Sequence, residues 1–214
     1  MGMNKVVVLD YGSSNLRSVV KALEYVAGED QKVFLSADPE FILGADRIVF
    51  PGQGAIKQCM ASVTEKGLLE VLLECIRNKP FLGICLGLQS LMDASDEDGG
   101  TDALGIIPGN VHRFPERSRD VNGAILKVPH MGWNNVNFRP DHPLWKGIEP
   151  GTRFYFVHSY YVKPAREEDI AAVTDYIVEF TSALARDNLF AVQFHPEKSQ
   201  KAGLTLLRNF LEWN

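Results

Sequence analysis

The stretch of sequence that decides the fold is Lys79-Pro80-Phe81-Leu82-Gly83-Ile84-Cys85-Leu86-Gly87-Leu88-Gln89. It predicts a short buried strand that ends on a cysteine and is followed by an apolar segment of helical character. Glycines stand two residues before and two residues after Cys85, where strained backbone packed tightly against its neighbours needs small side chains. The first amide groups of the new helix would point at the sulfur and favour its reactive thiolate form. The stretch therefore indicates a cysteine nucleophile, and the alternative is a buried structural cysteine.

Apolar runs alternate with amphipathic stretches through the first part of the chain. Strands are predicted at 6–9, 33–35, 48–50 and 81–84, with helices that begin near Leu16 and span 67–77. After about residue 105 the runs become short, aromatic and β-branched, at 111–114, 134–138, 154–162, 171–180 and 190–195. Continuously hydrophobic strands separated by helices predict a mostly parallel sheet covered on both faces. The later runs predict antiparallel or mixed strands at one side of the same sheet, before a closing helix over 203–213. We expect residues 1–214 to form one α/β domain.

Composition and charge exclude several classes of protein. The 214 residues suit a single domain, and a net charge of −5 without a basic block argues against nucleic acid as a partner. The apolar run near the N-terminus is too short for a signal peptide or a membrane span, so no membrane association is expected. The three cysteines form no paired pattern, which favours a reducing cytoplasm. The acidic segment 93–102 does not fit a calcium loop, and we expect no metal site and no cofactor.

A thiolate nucleophile needs a base, and the base needs a group that orients it. Of the five histidines, His195 has suitable neighbours, because an apolar run leads into His195-Pro196-Glu197. In an extended chain His195 and Glu197 point to the same side, so the carboxylate can fix the tautomer of the imidazole. A lone histidine at a strand end would otherwise be a surface or capping residue. With the cysteine turn, the pattern predicts a Cys85–His195–Glu197 triad.

Two further segments are expected near the cysteine. The strand over 48–50 leads into Pro51-Gly52-Gln53-Gly54, a glycine-rich loop that leaves backbone N–H groups free at the carboxyl edge of the sheet. With the N–H of Leu86, they could hold the oxyanion of an acyl-transfer intermediate, although an ordinary glycine turn is the alternative. Gln89 follows the cysteine by four residues and would face the sulfur from the same side of the helix. The run His158-Ser159-Tyr160 could supply further polar contacts.

These motifs together resemble those of the class I glutamine amidotransferases, whose fold is flavodoxin-like. Within that class the chain most resembles the glutaminase subunits of imidazole glycerol phosphate synthases, and the similarity runs nearly end to end. This narrower resemblance rests on Asp10-Tyr11-Gly12, on Asn15-Leu16-Arg17-Ser18, on Pro129-His130-Met131-Gly132-Trp133-Asn134 and on His158-Ser159-Tyr160.

The resemblance implies that Cys85 attacks the side-chain amide of glutamine while His195 moves the proton and Glu197 orients the imidazole. A glutamyl thioester would form, ammonia would leave, and water would release glutamate. The resemblance further implies a glutamine site made by Gly52, Gln53, Gly54, Leu86, Gln89, Ser159 and Tyr160. Many relatives carry an apolar residue in place of Gln53, and the polar side chain here could change how easily the backbone N–H turns into the oxyanion hole.

The resemblance also implies a heterodimer in which ammonia passes to a separate (β/α)8-barrel cyclase subunit. There it would serve the formation of imidazole glycerol phosphate and the aminoimidazole carboxamide ribotide in histidine biosynthesis. His130, Met131, Trp133 and Asn134 would lie at or near the interface. A channel suits this chemistry, because ammonia released into water would be protonated and lose its nucleophilicity.

Three other readings remain open from the residues. One is another class I amidotransferase, such as the anthranilate, aminodeoxychorismate or GMP synthase type, although these should lack the run over 129–134. Another is a cysteine hydrolase or chaperone-like protein of related fold, which need not keep the His-Pro-Glu arrangement. The third is a binding subunit without catalysis, against which the intact Cys85, His195 and Glu197 argue.

Overall fold

The fold is described from a computed structural model, and the structure describes residues 3–116, 118, 123 and 125–213. The helices are α1 (Leu16–Val26), α2 (Pro39–Leu43), α3 (Ile56–Glu65), α4 (Leu69–Asn78), α5 (Leu86–Gln89) and α6 (Gln200–Glu212). The strands are β1 (Asn4–Leu9), β2 (Gln31–Ser36), β3 (Arg47–Gly52), β4 (Phe81–Cys85), β5 (Ala94–Ser95), β6 (Thr101–Asp102), β7 (Gly109–Arg113), β8 (His130–Phe138), β9 (Thr152–His158), β10 (Tyr160–Pro164), β11 (Ile170–Asp175), β12 (Glu179–Arg186) and β13 (Leu189–Val192). No helix within these ranges is long and apolar enough to cross a bilayer.

The first four strands and β13 build a parallel sheet with helices on both faces, as predicted. Strands β2, β1, β3, β4 and β13 lie side by side in that order, and each pairs in parallel with its neighbour. Alternate residues of β1 serve the two faces. Val6 and Val8 pack with residues of α1 and α6, whereas Val7 and Leu9 pack with residues of α2, α3 and α4. Both faces of these strands are therefore buried, which is why they read as continuous hydrophobic runs.

The helices bury narrow apolar stripes against this sheet. In α1 the buried residues are Leu16, Val19, Leu23 and Val26, at the three- and four-residue spacing of a helix. The helix predicted over 67–77 is α4, which begins two residues later than expected. Two helices, α2 and α3, fall where none was expected. The first has five residues, and the second presents only a thin buried stripe among polar neighbours.

The second half of the chain extends the sheet with mostly antiparallel strands, as predicted. Strand β12 runs antiparallel to β13, and β10, β7, β5 and β6 continue the sheet outward. A branch formed by β11, β8 and β9 leaves from β12. This extension lies next to the strand that leads into His195, so it can contribute residues to the same sheet edge.

Two of the predicted strands are in fact pairs of strands. The run over 154–162 divides at Ser159 into β9, which pairs with β8, and β10, which pairs with β7 and β12. A single straight strand cannot serve partners in different parts of the sheet, so the chain bends between them. The run over 171–180 likewise contains a turn, in which the N–H of Tyr176 donates to the carbonyl of Val178. Strand β8 begins at His130, four residues before the predicted start.

Candidate active site

Cys85 is the last residue of β4, and the chain turns there directly into α5. Its φ of 55° and ψ of −104° form a conformation that L-residues rarely adopt, at a cost of about 1–3 kcal/mol. A Cβ atom on Gly87 would lie 1.9 Å from the carbonyl oxygen of Phe50. A Cβ atom on Gly83 would lie 3.0 Å from the Cβ of Ala191. The predicted strained turn between small residues is therefore confirmed, with α5 as a single helical turn.

His195 reaches the same sheet edge because β13, which leads into it, pairs in parallel with β4. Its Nδ1 donates a hydrogen bond of 2.9 Å to Oε1 of Glu197, and both side chains are buried. Glu197 lies in a 3-10 turn (Pro196–Lys198), not in the extended conformation expected from the sequence. The proline has a fixed φ that ends the strand and opens this turn. The expected histidine–carboxylate contact forms by a different local geometry.

The backbone of His195 is held on both sides. Its N–H donates to the carbonyl of Tyr155 over 2.9 Å, and its own carbonyl accepts from the Ser199 hydroxyl over 2.6 Å. Its Nε2 is buried and has no hydrogen-bond partner in the described part of the chain. Burial lowers the pKa of His195, but the sulfur of Cys85 and the carboxylate of Glu197 outweigh burial and raise it above the usual value. The imidazole is thus suited to carry a proton beside the sulfur.

The glycine-rich loop lies on the other side of β4, because it follows β3. The register of the two strands sets Gly52 opposite Cys85. A side chain at position 52 has no room, since a Cβ atom there would lie 2.2 Å from the Tyr11 hydroxyl and 3.0 Å from the Cβ of Leu86. The loop and the start of α5 therefore approach each other at backbone distance beside the sulfur.

The rest of the loop is tied to the segment before α1. Gln53 donates from Nε2 to the Ser14 hydroxyl over 2.7 Å, and Gly54 has a φ of 97°, which suits glycine. A cavity opens at this edge of the sheet. Its lining residues are Ser14, Asn15, Leu16, Val19, Pro51, Gly52, Gln53, Ile84, His195 and Glu197. Within the described ranges, no three His, Cys, Asp or Glu side chains are grouped closely enough to hold a metal ion.

Gln89 lies one helical turn after Cys85, and its side-chain amide is buried. Its Nε2 donates to the backbone carbonyl of Tyr160 over 3.1 Å and to Oε1 of Gln193 over 3.0 Å. Both N–H groups of this amide are therefore engaged, and a ligand would have to meet Gln89 at its Oε1. Tyr160 reaches the site through its carbonyl. The carbonyl of Ser159 accepts from the N–H of Phe114 over 3.0 Å.

Gln193 belongs to the site although the sequence analysis gave it no role. Its side chain is fully buried, and its Nε2 donates to the sulfur of Cys85 over 3.6 Å. A signal was present in the sequence, because an amide between Val192 and Phe194 in an apolar run must find internal partners. The partners themselves come from distant segments and could not be named from the sequence.

The four residues expected at a partner interface divide into two groups. Met131 and Trp133 project from β8 into solvent, with 62% and 37% of their surface exposed. His130 lies beneath them, 3% exposed, with its Nδ1 2.9 Å from Nε2 of His158. Asn134 is half-buried, and its Nδ2 lies 3.3 Å from Nε2 of His130.

The two histidines form a neutral pair whose protons can be placed. Burial lowers the pKa of His130 to about 4 and that of His158 to about 3. The carbonyl of Tyr160 can only accept, so His158 donates to it from Nδ1 over 2.8 Å. Nε2 of His158 must then accept from Nδ1 of His130, whose own Nε2 accepts from Asn134. A chain of fixed direction therefore runs from the surface strand β8 to Tyr160.

Comparison with known proteins identifies the family of the chain. The family described as Glutamine amidotransferase class-I matches residues 7–213. The imidazole glycerol phosphate synthase subunit HisH of Methylococcus capsulatus is 54% identical over 212 residues, which cover 99% of this chain and 97% of that one. The HisH subunit of Thiobacillus denitrificans is 56% identical over 210 residues, covering 98% and 91%.

Solved structures agree on the fold. The glutaminase domain of Trypanosoma brucei CTPS matches with a TM-score of 0.61 at 18% identity, covering 99% of this chain and 95% of that one. At such low identity the likeness concerns the fold alone. The family match and the near full-length relatives show that the chain belongs to the class-I glutamine amidotransferases and, among these, to the HisH subunits of imidazole glycerol phosphate synthase.

Proposed function

We propose that this glutaminase subunit hydrolyses glutamine with Cys85 as nucleophile, His195 as acid and base, and Glu197 as the orienting carboxylate. One observation carries the proposal. The Cys85 residue stands on a strained turn, and its sulfur interacts electrostatically with the His195 imidazole, whose Nδ1 is held by a buried carboxylate at 2.9 Å. A nucleophile, a base and a group that orients the base are the parts that acyl transfer needs.

In the first half of the reaction the thiolate attacks the side-chain carbonyl carbon of glutamine. The carbonyl oxygen becomes an oxyanion, and the backbone N–H groups of Leu86 and Gln53 are our candidates to hold it. His195 then gives the proton on Nε2 to the departing nitrogen, so the C–N bond breaks and ammonia leaves. The product on the enzyme is a glutamyl thioester.

In the second half, water attacks the thioester. His195, now neutral, takes one proton of the water as general base while Glu197 keeps Nδ1 protonated. The C–S bond breaks, glutamate leaves, and the sulfur returns as a thiolate beside the protonated imidazole. The raised pKa of His195 supports this resting ion pair, because it keeps the ring charged next to the sulfur.

The remaining pocket residues hold glutamine in this proposal. Gly52 and Gly54 let the backbone of the loop approach the substrate, and Gln89 offers Oε1. Ser159 and Tyr160 close the pocket from the antiparallel extension. Gln53 would contribute its backbone N–H, while its side chain is bound to the Ser14 hydroxyl.

We further propose that ammonia passes to a (β/α)8-barrel cyclase subunit that docks on β8. The support is the pair of exposed large apolar side chains, Met131 and Trp133, on that strand. Exposed aromatic residues of this kind are common anchors at protein interfaces. The cyclase would use the ammonia to form imidazole glycerol phosphate and the aminoimidazole carboxamide ribotide.

A reducing cytoplasm is the compartment we propose. Cys59, Cys75 and Cys85 are all free thiols, and disulfides form readily only in oxidising compartments. Burial raises the pKa of the Cys59 and Cys75 thiols, so these two are expected to be inert.

The test compares glutamine-dependent and ammonia-dependent turnover by the complex of this chain with a cyclase subunit. We expect Cys85→Ala to abolish the glutamine-dependent reaction and to leave the ammonia-dependent reaction intact. Cys59→Ala is the matched control, since it removes a buried thiol from the hydrophobic cluster on the other face of the sheet and does not touch the triad. Glutamine turnover retained by Cys85→Ala would refute the assignment of the nucleophile.

A further inference from the structure

We propose that Gln193 is a positioning residue for Cys85, and that the backbone carbonyl of Tyr160, acting through Gln89, makes it present an N–H group to the sulfur. The proposal deepens the proposed function, because it rests on Cys85 as the nucleophile. It concerns the state of the sulfur before any substrate is bound.

The direction of the two amides follows from one fixed acceptor. A backbone carbonyl has no proton, so the group of Gln89 that lies 3.1 Å from the Tyr160 oxygen must be its NH2. The same NH2 lies 3.0 Å from the nearest atom of the Gln193 amide, which must then be the oxygen. The NH2 of Gln193 is left on the other side, 3.6 Å from the sulfur. Turning either amide over would set two donors or two acceptors against each other.

This direction decides what the sulfur can do. Gln193 presents a donor, so it stabilises a sulfur that accepts hydrogen bonds, and a thiolate accepts them better than a thiol. Gln193 cannot take the thiol proton, because the group that faces the sulfur is its NH2, which only donates, while its oxygen faces Gln89. The proton of Cys85 is therefore directed to His195, the neighbouring group that can receive it.

The carbonyl that sets this direction is itself held from two sides. Besides Gln89, the Nδ1 of His158 donates to it over 2.8 Å. His158 is held in turn by His130 over 2.9 Å. The position of the Tyr160 carbonyl is thus determined by β8 as well as by α5. The Gln193 N–H group that points at the Cys85 sulfur therefore belongs to a buried hydrogen-bond network.

A packing role alone does not account for this glutamine. The side chain is fully buried, and an amide in such a place is costly unless its hydrogen bonds are made. A methionine would fill a similar volume without that cost. The amide is explained if its N–H group is needed at the sulfur.

The test is the rate at which iodoacetamide alkylates Cys85 in the full chain, followed by mass spectrometry of the Cys85 peptide across a range of pH. Gln193→Met keeps the volume and removes the donor. We expect its alkylation rate at neutral pH to fall about 10- to 100-fold, as loss of one hydrogen bond to a charged group implies. Gln193→Glu keeps a donor only while its carboxyl is protonated. Its rate relative to the native chain should therefore fall as pH rises.

Ser182→Ala is the matched control. Ser182 is fully buried in the neighbouring strand β12 and accepts a hydrogen bond of 2.9 Å from Thr174, so its loss removes a buried contact outside the network. We expect alkylation of Cys85 at the native rate in this variant. Equal slowing in Ser182→Ala and Gln193→Met would overturn the proposal, and so would a native rate in Gln193→Met.

A second variant keeps the proposal testable if Gln193→Met does not fold. Gln89→Met leaves the Gln193 amide free to turn, so alkylation should slow about 3- to 10-fold, less than full loss of the donor. A native rate in that variant would also contradict the proposal. Alkylation needs no glutamine, so this result is independent of the Cys85→Ala turnover experiment that tests the proposed function.

Discussion

Substitution of Gly87 by alanine should move the turn at Cys85 away from the glycine-rich loop at Gly52. The new Cβ atom would lie 1.9 Å from the carbonyl oxygen of Phe50, whereas Cβ atoms in proteins essentially never come within 3.0 Å of such an atom. Either α5 or β3 must therefore move by about 1 Å. The first carries the turn at Cys85 and the second carries Gly52, so the nucleophile and the loop opposite it are displaced relative to each other.

The size of the effect follows from this displacement. A shift of 1 Å at reacting groups can cost about 100-fold in rate, and we expect that loss mainly in kcat for glutamine hydrolysis. Inserting a methyl group into a packed site costs about 1–3 kcal/mol. For a chain of this length each kcal/mol lowers Tm by about 2–4 °C, so Tm should fall by about 2–12 °C.

The assay is glutamine hydrolysis by the complex with the cyclase subunit, with thermal unfolding measured on the same preparations. Gly83→Ala should show a smaller loss, because its Cβ would meet its nearest neighbour at 3.0 Å. Gly44→Ala is the control, since its Cβ would find only ordinary contacts at 3.5 Å far from the site. A Gly87→Ala variant with native kcat and native Tm would show that close packing of this turn is not required.

Three further predictions concern the rest of the molecule. His130 becomes protonated below about pH 6.5 in the unfolded chain, but only near pH 4 in the folded chain. The free energy of unfolding therefore decreases as pH falls through this window, by about 2 kcal/mol at pH 5. His130→Phe should lose that much less stability than the native chain between pH 7 and pH 5 in urea unfolding, and an unchanged difference would contradict the neutral pair. Trp133→Glu should weaken binding of the cyclase subunit about 30-fold or more in calorimetry, whereas the control Tyr25→Glu, which changes an exposed aromatic residue on α1, should bind normally. Equal affinities of the two variants would exclude β8 as the docking strand. Asp169→Asn, which removes the charge that accepts two hydrogen bonds from Arg186 at 2.8 and 2.6 Å, should lower the unfolding free energy by about 2 kcal/mol; a change below about 0.5 kcal/mol would mean that the pair is solvated.

The first half of the fold was predictable because its signals are local. Each strand from β1 to β4 is a short apolar run, and α1 and α4 repeat their apolar residues at a regular spacing. The short α2 and the mostly polar α3 lack that signal and were not predicted. The strained turn at Cys85 was also predictable from local signals, since Cys85 and the two glycines lie within five positions of one another. His195 and Glu197 were also close enough in sequence to be paired, although their contact depends on a turn that an extended chain would not make.

The second half was less predictable because its strands choose partners far away in the sequence. The break at Ser159 cannot be read from the apolar run around it, since it arises where the chain leaves β8 and joins β7. The turn at Tyr176 lies within the apolar run over 171–180 and is likewise not marked by residue type. Residue type and spacing identify a strand there, but they do not say where one strand ends and the next begins.

The sequence by itself determined the fold class, and it predicted Cys85, His195 and Glu197 as a triad, because both rest on patterns within a few neighbouring residues. Only the tertiary structure decided that Gln193 meets a sulfur 108 positions away, and that His130 lies beneath the exposed face of β8. It also decided the direction of the hydrogen bonds that join these groups. The physical reason is that such a direction is imposed by one fixed acceptor, the Tyr160 carbonyl, whose neighbours are brought together only when the sheet is assembled.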